Sequence, residues 1–174
     1  MDIIKLLCCA SLLVGSSMWL LAQPPSSKEA FEKAYKERIK KEYLDGVYIP
    51  ADLGDAFVRL NKLIDKDSKE KFKNASEEDA ARKLHFSLGR WIIHNWGFYG
   101  GSRLSHYLRE LGITHPDDMA QFIVVTYHRN LNRRELEVKA LVEHYKEMRK
   151  KEHEARLEKG TVIHQEVKKT KQKD

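Results

Sequence analysis

Cysteine is nearly missing from this chain of 174 residues: the two it has, Cys8 and Cys9, are adjacent near the start, and none follows. Everything after position 9 must therefore hold together without disulfides, by burying apolar surface, and any covalent catalysis there would have to use a hydroxyl such as Ser102 or Ser105. Strand-like alternation is also scarce. Only Val47-Tyr48-Ile49 before Pro50 reads as extended, because a residue preceding proline avoids the helical region. There is no internal repeat, which sets aside solenoids and propellers. The single long uncharged run, Leu6 to Leu21, is short of the roughly 20 apolar residues that a membrane span needs. Nucleotide-loop spacing, a nucleophile elbow and any cofactor-binding signature are missing as well.

What is present has the composition of one folded domain with a polar excess, 33% charged and 41% hydrophobic. The formal charge of +6 is unevenly placed. From Lys146 to Asp174 there are ten lysines or arginines against six acidic residues, so most of the surplus belongs to the C-terminal end and the body is close to neutral. At the other end, Lys5, the run Leu6 to Leu21 and the small residue Ala22 have the layout of an export signal. The expectation is a signal peptide over 1–22, cleaved after Ala22, and a periplasmic or secreted product. An uncleaved anchor is the alternative.

Spacing of apolar residues predicts an all-α fold: one small helical domain of about five to six helices, a long C-terminal helical extension and a disordered tail. Segment by segment, the expected layout is an N-terminal helix within 23–46, a helical domain over 47–145, and a charged extension with a basic tail over 146–174. Ser27 can cap a first helix carrying Phe31, Tyr35, Ile39 and Tyr43, ended by Gly46. Asp52 caps a second, striped by Leu53, Phe57, Leu60 and Ile64. Ser76 with Asp79 opens a third, whose face is Ala80, Leu84, Leu88, Trp91 and Ile92. Gly97 stops it, Ser102 caps a short helix that Gly112 ends, and Pro116-Asp117-Asp118 starts the helix expected to be central and most buried. Asn132 and Glu135 are expected to restart a long helix striped by Leu136, Ala140, Leu141, Tyr145 and Met148.

The block LHFSLGRWIIHNWGFYGGSRLSHYLRELGITHPDDMAQFIVVTYHRNLN, Leu84 to Asn132, preceded by YIPADLGDAFVRLNKL, resembles an uncharacterised bacterial family, the domain of unknown function 6794. The resemblance runs from about Tyr48 to Asn132. It implies an exported or envelope-associated bacterial protein and brings with it no known activity, substrate or catalytic residue.

The loop Trp96 to Arg103 is the expected contact surface. Gly100 and Gly101 can turn backbone amides together, Ser102 opens a helix, and Arg103 offers a fork for a phosphate, sulfate or carboxylate. Trp96, Phe98 and Tyr99 could supply stacking faces. His106 and His115 complete the candidate set, with His94 and His128 as further acid-base candidates. No pair of histidines has metal-ligand spacing, so no metal is expected, and no cofactor. Two functions follow. One is an exported module that binds a protein or envelope component through this loop. The other is a small enzyme or anion-binding protein, with a pocket between the Gly-Gly-Ser-Arg loop and the His-Pro-Asp-Asp helix start. Nucleic acid is not the expected partner, and membrane contact would come only through an uncleaved signal or the basic tail.

Overall fold

The computed structural model describes residues 27–160. The expected signal over 1–22 and the tail beyond Gly160 lie outside the described residues. The protein is all-α, with one two-stranded hairpin among the described residues. It divides between Ala34 and Tyr35 into two units, and the larger, from Tyr35 onward, carries everything that follows the first turns of α1.

Helix α1, Lys28–Arg38, starts where Ser27 Oγ accepts from the Ala30 amide at 3.2 Å and ends five residues before Tyr43. The sequence suggests a longer helix, up to Gly46. The difference has a local cause. Asp45 and Gly46 both adopt left-handed conformations, φ 50° and 78°, which is a two-residue hairpin turn. It joins β1, Tyr43–Leu44, to β2, Val47–Tyr48, antiparallel and with Tyr43 opposite Tyr48.

Helix α2, Leu53–Leu63, is capped by Asp52, and α3, Lys66–Asn74, by Asp65. Ser76 Oγ accepts from the Asp79 amide at the start of α4, Glu77–Leu84. The expected third helix is not continuous: a π-helical turn, His85–Gly89, separates α4 from α5, Arg90–Asn95. Ser102 and Ser105 exchange side-chain to backbone hydrogen bonds at the start of α6, Arg103–Leu111, and Gly112, at φ 104°, ends it. Proline in the first turn begins α7, Pro116–Leu131.

Helix α7 is the axis of the fold. Met119, Phe122, Ile123 and Tyr127 are fully buried, and α2 to α6, the π turn and the last helix all pack on it. Each such side chain contributes roughly 1.5–3 kcal/mol by leaving water. Asn132 ends α7 by returning its amide to the His128 carbonyl oxygen, so it terminates a helix where the sequence suggested that it begins one. The next helix, α8, waits until Val138–Lys159 because Arg133 and Glu137 turn left-handed, at φ 53° and 50°.

Two ion pairs pin these elements. Arg129 grips Glu77 with two hydrogen bonds, of 2.9 and 2.6 Å, and gives its third nitrogen to Leu136 O and Glu137, tying the start of α4 to the α7–α8 connection. Arg149 of α8 grips the buried Asp118 with two bonds of 2.6 Å. Among the described residues no helix is long and apolar enough to cross a membrane.

Candidate functional site

The loop that the sequence singles out is turned inward. Trp96 and Phe98 are fully buried and join the core, Trp96 with its ring edge-on to Trp91 at 5.9 Å. Neither can present a stacking face to a partner. They are drawn in because Gly97, left-handed at φ 64°, bends the chain back immediately after α5. Of the loop aromatics only Tyr99 faces solvent, 72% exposed.

Gly100 and Gly101 form a seat for the end of α1. Arg38 Nε donates to the Gly101 carbonyl at 3.1 Å, and the Tyr35 ring lies so close that a Cβ on Gly101 would come within 2.3 Å of it. Ser102 is buried and committed to its cap. Arg103 donates from Nε to Ile49 O at 2.6 Å, lies 5.1 Å over the Tyr48 ring and stands 3.8 Å from Asp55. The polar groups expected to meet a ligand are thus largely engaged within the chain, joining α6 to the strap that follows β2.

The histidines have separate neighbourhoods. His94 is exposed on α5. His106 Nδ1 lies 3.1 Å from the Tyr35 hydroxyl, with Nε2 3.6 Å from Glu110. His115 caps α7 by accepting from the Asp117 amide, and its Nδ1 also accepts from Arg149 at 3.1 Å. His128 is buried against Phe72, donates from Nε2 to Ala75 O at 3.0 Å and, among the described residues, leaves Nδ1 without a partner. The hollow beside the His115 helix start, lined by Ile113, Thr114, Asp118, Tyr145 and Arg149 among others, takes no residue from the 96–103 loop. Among the described residues no three metal-ligating side chains converge.

Two surface features have the shape of binding sites, and neither stood out in the sequence. The first is a groove between α2 and α3 on one side and α4, the π turn and α5 on the other. It consists of two adjoining hollows of about 410 and 360 Å³ that share Ile64 and Leu88. Leu60, Leu63 and Trp91 line one end and Phe72, Ala80 and Leu84 the other. Leu63 is 44% exposed, and Phe86, on the π turn, 71%. The second is a polar cleft of about 410 Å³ between the hairpin and α2, lined by Tyr43, Tyr48, Asp55, Arg59 and Lys62 among others. Within it the Tyr48 hydroxyl donates to Asp55 at 2.7 Å, and this bond to a carboxylate raises the hydroxyl above the ordinary tyrosine range.

A spacing signal for the π turn exists in the sequence. Ala80, Leu84, Leu88, Ile92 and Trp96 recur every four residues, whereas an α-helix repeats every 3.6, so a straight helix would carry this stripe around its surface by roughly 40° per step. A π turn, with its wider i to i+5 bonding, slows that drift.

Fold and surface together define a small all-α domain offering an apolar groove and a polar cleft, with its histidines apart. Residues 49–131 match the family model described as Domain of unknown function (DUF6794), nearly all of the span from Tyr48 to Asn132 over which the sequence resembles that family. No curated protein and no solved structure matches the chain.

Proposed function

We propose that this protein is an exported bacterial module that binds a protein or envelope partner, and that the partner docks in the α2–α5 groove. The Trp96 to Arg103 loop, the surface first expected to make contact, has too little free side chain to hold a partner. The observation that carries the reading is the continuity of the apolar floor from Leu60 and Trp91 through Ile64 and Leu88 to Phe72 and Leu84. Contiguous exposed apolar surface costs solubility and is kept where something covers it. The groove follows α4 to α5 from Ala80 to Trp91, a length of roughly 16 Å at the helical rise, which suits an apolar helix of about three turns. A binding role is favoured over catalysis because Arg103 is engaged and His94, His106 and His115 lie apart. Export is supported by the Lys5, Leu6–Leu21 and Ala22 layout.

The test is site-specific photocrosslinking in cells from position 63, in the groove, and from position 99, on the loop. The reading expects a discrete protein adduct from position 63, lost when Leu88 is replaced by lysine, and a secreted or periplasmic product whose mass begins at Gln23. Adducts from position 99 alone would return the contact surface to the loop, and a product retained in the cytoplasm would refute export.

A further inference from the structure

A second, independent site lies on the hairpin side of the molecule. We propose that the cleft between the hairpin and α2 binds an oxyanion carried on a sugar-type ring, an acidic sugar.

The argument begins with charge that has no partner. Arg59 and Lys62 are three residues apart on α2 and so share one face. Among the described residues neither takes part in an ion pair or hydrogen bond, and Arg59 Nε is buried without any acceptor. With Nε enclosed, the guanidinium turns its two terminal nitrogens to a ligand, and that planar pair matches a carboxylate or phosphate.

The one carboxylate lining the cleft cannot serve both cations. Asp55 accepts from the Tyr48 hydroxyl at 2.7 Å and from the Ala51 amide at 2.9 Å, and has Arg103 beside it at 3.8 Å. Tyr48 in turn fixes the fork: the Arg59 guanidinium lies 5.8 Å over its ring, with Arg103 at 5.1 Å from the same ring. A pre-positioned cation loses little freedom on binding.

The ring follows from the opposite wall. Tyr43 meets Tyr48 edge to face at 5.5 Å and stays 58% exposed as part of the cleft lining, where the CH face of a saturated ring can lie. Gly46 keeps the approach open, since a Cβ there would meet nothing within 4 Å. About 410 Å³ lies within the range of small-ligand pockets and holds one hexose.

The test is calorimetric titration of the full chain with D-glucuronate, D-glucose 6-phosphate, D-glucose and inorganic phosphate. The two acidic sugars separate a carboxylate from a phosphate source, and the other two isolate ring and charge. An acidic sugar is expected to bind at about millimolar affinity, and both glucose and inorganic phosphate at least tenfold more weakly. Arg59→Gln should lower that affinity about tenfold and Lys62→Gln about threefold, as loss of a charged hydrogen bond implies. Because Arg59 packs on Tyr48, its variant is checked for folding by circular dichroism; Lys62 is exposed, and its variant tests the site with the fold intact. Glucose binding as tightly as glucuronate would overturn the role of charge. Phosphate binding as tightly as both acidic sugars would overturn the role of the ring. Binding unchanged in both variants, or no binding of either acidic sugar, would overturn the site.

Discussion

Replacing Glu77 with glutamine should be among the most damaging single-atom changes available in this fold. Glu77 supplies both carboxylate oxygens to Arg129, whose side chain is only 9% exposed, and a further contact of 3.1 Å to Arg134. Glutamine is nearly isosteric but neutral, and offers an amide NH2 where Arg129 needs an acceptor. Removing one partner of a buried pair costs about 3–5 kcal/mol, because the other charge stays behind in poor solvent. Here Glu137 remains at 2.9 Å from Arg129 as a counter-ion, which places the cost near the lower figure, about 3 kcal/mol. For a domain of this size that is a fall in melting temperature of roughly 10 °C. The pH dependence fixes the sign. The Arg129 hydrogen bonds hold the Glu77 carboxyl below its ordinary 4.5, so its stabilisation is fully present above pH 4.5 and disappears as pH falls through the lowered value. Urea unfolding of both proteins at pH 7 and at pH 3 measures this. The gap should be wide at pH 7 and narrow in acid. A difference below about 0.5 kcal/mol at pH 7, the size of an ordinary surface substitution, would refute the claim that this pair pins α4 to the α7–α8 connection.

Arg103→Ala should cost about 2 kcal/mol in urea unfolding, from the lost bond to Ile49 O and the contact with Tyr48; an unchanged midpoint would free Arg103 for a ligand. Gly101→Ala combines a left-handed backbone, φ 85°, with a clash against Tyr35, so it should lower the melting temperature and displace the Tyr35 ring from His106, which NMR of the imidazole would report. Asp118→Asn should loosen α8, seen as faster amide exchange over Val138 to Arg149 with α4 to α6 unaffected, because it removes the charge and one of the two oxygens that Arg149 grips.

Local signals in the sequence reached most helix ends. Ser102, Gly112 and Pro116 mark boundaries through their own backbone chemistry, and the structure uses each of them so. The hairpin escaped because Tyr35, Ile39 and Tyr43 keep helical spacing up to the point where Asp45-Gly46 turns the chain, so a wider signal obscured a two-residue one. The delayed start of α8 had no sequence marker, since arginine and glutamate do not announce a left-handed backbone. The site was harder still. Whether Trp96 faces water or core depends on α7 being behind it, and Arg103 meets a carbonyl oxygen 54 residues away. Spacing along a helix gives the face of a residue but not what stands opposite it. Arg59 and Lys62 carry no signal of their own in the sequence for the same reason, since the hairpin that forms the other wall of their cleft is a separate element.

The π turn at His85–Gly89 gives the α4–α5 segment a property that composition does not record: its winding is part of its code. Closing those five residues into ordinary helix with none removed would turn Trp91 and Ile92 by about 100° relative to Ala80 and Leu84, because the wide i to i+5 turn holds about one residue more than an α turn. Every apolar side chain would still be present, but the floor of the groove would be split between two faces. A substitution that closes this turn into ordinary helix is therefore a change of surface identity, whereas removing one residue as the turn closes would leave the two faces aligned.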